Sequence, residues 1–153
     1  MKLTLVIVLF AALLASGALA SSQPTGSGKQ QVLYGHVKAV ARVGNRYALR
    51  FDPAWWLSGV AAEHACRCKP VPNDNVVVDE THRLLTFAVA KNASVTVLVR
   101  RGRATISVAE LAQIVQGKNP EHRKLLEPTA GFWISVLQTY PSPIVSIDQQ
   151  YQP

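Results

Sequence analysis

Hydrophobic positions in this chain follow two rhythms: one apolar block at the N-terminus, then short runs that alternate with polar residues. The block, Leu3 to Leu14, follows Lys2 and is shorter than the roughly 20 residues a membrane helix needs. Ala18-Leu19-Ala20 then places small residues at the two positions a signal peptidase reads, with Ser21 next. The pattern predicts a signal peptide over 1–20 and a chain exported to the periplasm or extracellular medium of a bacterium. Leu14–Gly17 holds no cysteine, so no lipid anchor is expected, and no later stretch is long enough to span a bilayer.

Ser21–Gln31, rich in Ser, Gly and Gln, reads as a flexible tether, and 32–153 as a single β-rich domain. Val32–Val43 and Arg46–Phe51 form a β-hairpin about Gly44-Asn45, with Tyr47, Leu49 and Phe51 on its buried face. Asp52-Pro53 predicts a strand break, Pro53–Leu57 a helical turn or corner, and Asp52 a cap for the Trp55 turn. Ser58 is the expected N-cap of a helix over Gly59–Cys66, and Lys69–Asn75 reads as a loop. Strands follow at Asn75–Val78, Leu84–Ala90 and Ser94–Arg101, the last two joined through Lys91-Asn92-Ala93 as a hairpin connection.

Ser107 and Glu110 have capping-box spacing for a helix ending near Gln116, with Gly117 as its stop. Lys118–Pro128 is a surface loop, and strands at Gly131–Gln138 and Ile144–Gln150 flank Tyr140-Pro141-Ser142-Pro143. The expected fold is mainly β: a β-barrel or rolled antiparallel sheet, OB-like in one version, with two short helices.

Charge alters this picture little. The chain carries +7, and its basic residues are scattered apart from Arg100-Arg101-Gly102-Arg103, which reads as a solvated turn. An anionic envelope component or another protein is the partner class this allows. Nucleic acid is not expected, because no stacking aromatics are interleaved with that cluster.

Candidate chemistry centres on His64-Ala65-Cys66-Arg67-Cys68. One imidazole and two thiols suit copper or zinc, with His36, His82, His122 or a carboxylate as a further ligand. Exported proteins with two cysteines also pair them, and one intervening residue would close a small, strained and easily reduced ring. Free thiols or an intermolecular bridge complete the alternatives, and all three stay open. Catalytic signatures (G-x-S-x-G, H-E-x-x-H, a P-loop) are missing from the sequence, leaving Cys66 with His64 as a formal nucleophile and base, and Asp79-Glu80 with Asp52 or Asp74 as a formal carboxylate pair that reads more simply as polar turns. The expectation is a protein that is not an enzyme and holds no cofactor beyond a candidate copper or zinc ion. Trp55-Trp56 and Phe132-Trp133 are candidates for a sugar-stacking groove, although a core should claim most of the three Trp, four Tyr and four Phe.

An ordered series of motifs carries a resemblance. Tyr34-Gly35-His36-Val37-Lys38, Phe51–Gly59 (FDPAWWLSG), Val71-Pro72-Asn73-Asp74 and the ending Asp148-Gln149-Gln150-Tyr151-Gln152-Pro153 recur in order. The chain resembles a group of small exported bacterial proteins, many of them lipoproteins, over Tyr34–Pro153. The resemblance implies export and one compact domain, and supplies no mechanism. This chain departs from that group in lacking the lipobox cysteine and in placing Asn75-Val76-Val77 where aromatics tend to follow V-P-N-D, and Cys66 and Cys68 are expected to be peculiar to its branch. The expected role is binding, on a surface built from Asp52, Trp55, Trp56, Asn73 and Asp74. The alternative is a metal-handling protein using His64, Cys66 and Cys68.

Overall fold

The hairpin forms as its pattern predicts, with β1 over Gln30–Val43 and β2 over Arg46–Ser58 turning at Gly44-Asn45. Gly44 has φ +61°, the left-handed conformation that tight hairpin turns require. The computed structural model describes residues 28–79, 83–127 and 130–151. The signal-peptide reading, the first residues of the tether reading, Glu80, His82, Pro128 and the terminal Gln152-Pro153 lie outside the described residues.

The remaining elements are α1 (Gly59–Cys66), β3 (Asn75–Val78), β4 (Leu85–Val99), β5 (Gly102–Thr105), α2 (Val108–Val115), β6 (Phe132–Leu137) and β7 (Ile144–Gln149). Five strands close into a barrel, β1 pairing β2, β2 pairing β4, β4 pairing β7, β7 pairing β6 and β6 returning to β1. Only the β4–β7 pair is parallel. Closure removes the free edges of the five strands, and the arrangement is that of a Greek-key barrel of the OB type. β3 and β5 are short additions to the far ends of β2 and β4.

The barrel interior is filled by Leu49 and Phe51 of β2, Val95 and Val97 of β4, Phe132 and Ile134 of β6, and Ile144 and Ile147 of β7. Burying each such side chain contributes about 1.5–3 kcal/mol. α2 adds Leu111 and Ile114 to the same core. It starts as its capping signal predicts, Glu110 N donating to Ser107 Oγ at 3.0 Å, and Gly117 follows its last turn at φ +79°.

Three sequence expectations are corrected. β1 begins at Gln30, inside the expected tether, because Gln30 and Gln31 pair with Leu137 and Val136; backbone pairing needs no apolar side chain. β2 is not broken at Asp52-Pro53, and no turn forms at Trp55. β2 pairs with β4 up to Phe51 and with β3 from Trp55, so Pro53 falls in the gap where β1 is its one partner strand. A residue without an N–H is tolerated there. β4 is one strand where two were expected: Lys91 and Asn92 are exposed at the point where it leaves β2 and, after a register shift, meets β7. The polar pair that imitates a turn is the exposed side of a barrel strand at a register shift, and Ala93 packs against the core.

Candidate functional site

β1 carries Tyr34 between two partners, opposite Ala54 of β2 on one side and Trp133 of β6 on the other. Two residues beyond Ala54, Trp56 comes back over the same ring. Tyr34 packs at 5.0 Å from Trp56 in a T-shaped arrangement and at 4.9 Å from Trp133, and the two indoles lie 5.9 Å apart. Such geometries are favourable for aromatic quadrupoles. With Val32, Pro53 and Trp55 these rings line an open groove of about 270 Å³. Trp55 remains 64% exposed at its lip.

The barrel core thus takes none of the three tryptophans. This overturns the expectation that packing comes first for them: Phe51 and Phe132 fill the interior, and the indoles gather on the outside. Tyr34 is the pivot. Its ring is 3% exposed, and a Cβ on Gly131 would come within 2.0 Å of its hydroxyl, so only a glycine lets the backbone lie against it. Burial pushes the Tyr34 phenol up to about 12 from the usual 10. A phenol whose folded pKa is raised stabilises the fold below pH 10, and that contribution is lost as pH rises through 12. In an ultraviolet phenolate titration the Tyr34 phenolate is therefore expected to appear only near pH 12, together with a fall in stability between pH 10 and 12.

Beyond Tyr34 the same face becomes polar. His36 stands opposite Asp52, its ring 6.4 Å from that of Tyr34. Asp52 does not cap a turn. Its carboxylate is 4% exposed and its Oδ2 pairs with Lys38 Nζ at 3.0 Å, while Oδ1 has no hydrogen-bond partner among the described residues. The expected binding surface therefore divides. Trp55 and Trp56 line the groove, Asp52 is buried beside it, and Asn73 lines a separate hollow with Cys66 and Cys68. Asp74 is exposed in the 3₁₀ turn Pro72–Asp74. Sequence reading missed Tyr34 as a site residue; only the β1–β6 register puts it beside Trp133.

Cys66 and Cys68 form a disulfide at the end of α1, with Cα atoms 5.2 Å apart. That separation suits a disulfide. Arg67, between the two cysteines, is the C-cap of α1 and adopts the left-handed conformation, φ +53°, in which helices commonly end. A non-glycine residue there costs about 1–2 kcal/mol. Closing so short a loop stabilises by about 1.6 kcal/mol on chain-entropy grounds. The two nearly cancel, so the bond adds little to the fold. Joined this way, neither cysteine is a free nucleophile or thiolate ligand, and among the described residues no three His, Cys, Asp or Glu side chains converge as a metal site.

The Arg100–Arg101 turn between β4 and β5 is solvated, as expected, but it does not stand alone. The loop after α2 is drawn against it, Arg100 N donating to Lys124 O and Leu126 N to Leu98 O, at 2.9 and 3.0 Å. Arg100, Arg101, Arg123 and Lys124 consequently line one open cleft of about 700 Å³. Arg123 is held by Glu110 of α2, a hydrogen bond that raises the guanidinium pKa further. No helix among the described residues is long and apolar enough to cross a membrane. Comparison with protein-family models, with curated proteins and with solved structures returned no match.

Proposed function

We propose that this chain is an exported bacterial domain that acts by binding and not by catalysis, and that its ligand is a glycan of the cell envelope. The observation that carries the reading is the placement of all three tryptophans outside the core, two of them against Tyr34 in one open groove. Exposed apolar area costs solubility unless it is used, and indole faces stack on pyranose rings. The N-terminal signal pattern, together with the resemblance of the ordered motifs to small exported bacterial proteins, supports export. The cleft of Arg100, Arg101, Arg123 and Lys124 favours an envelope component that also carries negative charge.

Calorimetric titration with soluble peptidoglycan saccharides tests this. Saturable binding is expected, weakened about tenfold or more by Trp133→Ala, equivalent to about 1.4 kcal/mol. Far-ultraviolet circular dichroism of the variant should remain that of the parent. Absence of heat with every saccharide, or equal affinity in the variant, would remove the groove as the ligand site.

A further inference from the structure

We infer that the Cys66–Cys68 disulfide is a thiol–disulfide exchange site whose partner is an extended, cysteine-bearing peptide. The bond lies outside the barrel and faces an open hollow of about 380 Å³. Cys66, Cys68, Pro72, Asn73, Val76 and Val77 line that hollow, so the sulfurs meet an apolar wall contributed by β3. β3 ends the sheet order, with β2 as its neighbour on one side, and an edge strand of this kind can take up an extended peptide.

Two further observations point to exchange instead of structural stapling. The bond closes a loop with one intervening residue, and that residue is held in a left-handed conformation, so little of the fold depends on it. The two sulfurs also differ in their surroundings. Cys66 Sγ lies 3.8 Å from the Glu63 carbonyl oxygen and 3.7 Å from that of Cys68. Carbonyl oxygens accept from a thiol and repel a thiolate. Cys68 sits between Arg67 and Lys69 in the chain, and cations favour a thiolate. Lys69 pairs with Glu63 at 3.6 Å, whereas Arg67 has no ion pair among the described residues.

Cys68 is accordingly the better leaving group. The peptide thiolate attacks Cys66 Sγ, forming a mixed disulfide as the Cys66–Cys68 bond breaks and Cys68 departs as thiolate. A second thiolate of the same peptide then attacks the peptide sulfur of that mixed disulfide. The peptide leaves with its own disulfide, and Cys66, released as a thiolate, takes up a proton from solvent and hydrogen-bonds as a thiol to the neighbouring carbonyls. Two electrons pass from the peptide to the protein; the two peptide thiols release their protons to solvent as they become thiolates, one proton returns to Cys66, Cys68 remains a thiolate, and nothing else is consumed.

The test uses the full mature chain in its oxidised form under native conditions, with three probes: glutathione, a peptide with two cysteines flanked by valines, and its single-cysteine counterpart. Samples are quenched by alkylation and weighed by mass spectrometry, with circular dichroism recorded in parallel. Expected is complete exchange with the dithiol peptide within minutes, at least tenfold faster than with glutathione at equal thiol concentration, and no change in the spectrum. The single-cysteine peptide should stop at a mixed disulfide located on Cys66, with alkylated Cys68. A bond that stays oxidised with all three thiols, or that is reduced only as the fold is lost, overturns the exchange site. Equal rates for peptide and glutathione overturn the peptide as partner, and a mixed disulfide on Cys68 overturns the assigned order of attack.

Discussion

Gly35→Ala is expected to destabilise the barrel by about 3 kcal/mol, the upper end of what overpacking usually costs. Gly35 of β1 pairs with Pro53 of β2, and a Cβ there would lie 2.1 Å from the Asp52 carbonyl oxygen and 2.8 Å from Pro53 Cα. Both obstacles are backbone, so no rotamer change relieves them. The third, Phe51 Cζ at 2.9 Å, belongs to a side chain buried in the core. The methyl group can be housed only if β2 moves off β1, and that movement would carry Ala54 and Trp56 away from Tyr34. Urea unfolding followed by circular dichroism measures the loss, and the Trp133→Ala calorimetry repeated on this variant should show weakened saccharide binding as well. An unchanged unfolding midpoint would mean the two strands are more loosely joined than these distances state.

Gln149→Ala should cost a similar amount for a different reason. The side chain of Gln149 is 1% exposed and makes three hydrogen bonds. Its Oε1 accepts from Leu98 N at 2.7 Å, and its Nε2 donates to the carbonyls of Leu126 and Glu127 at 3.1 and 2.7 Å. Truncation leaves the buried Leu98 amide unpaired, at roughly 1–3 kcal/mol, and also removes the tie between β7 and the loop after α2. The expected total is about 3 kcal/mol. Hydrogen exchange separates this mechanism from general loosening. The Leu98 amide should lose protection more than those of β1 and β6, and Arg123 and Lys124 should lose their fixed place beside Arg100. Gln149→Glu is the informative companion, since it keeps the acceptor for Leu98 and sets a carboxylate oxygen against two carbonyls. Uniform loss of protection across the barrel would contradict the local account.

Both residues show where the sequence stopped being readable. Gly35 looks like any glycine in a strand, and its meaning comes from Asp52 and Pro53 across the hairpin. Gln149 looks like a polar strand end, and its three partners lie 22 to 51 residues away in the chain. Local signals fared better. The Gly44-Asn45 turn, the helix after Ser58, the Ser107 cap and the stop at Gly117 all stand where residue type placed them, because each depends on backbone conformation within a few positions. Ser58 nonetheless sits at the N-cap without a side-chain hydrogen bond, so its position was legible and its contact was not.

The same division separates the two candidate sites. The Cys66–Cys68 pair needed only two nearby cysteines to be noticed, while its environment beside Val76 and Val77 needed the β2–β3 pairing. The aromatic groove needed more. Alternation along a strand identifies two faces but not which of them closes on the barrel axis, and three strands must be in register before Tyr34, Trp56 and Trp133 meet. By itself, then, the sequence determined the mainly-β fold, its turns and both helices, since these follow from local conformational preference and hydrophobic period. Barrel closure decided the rest. It ran β2 through a proline, fused two expected strands into β4, buried Asp52 against Lys38 and gathered the indoles outside the core, because strand register is a property of partners far apart in the chain.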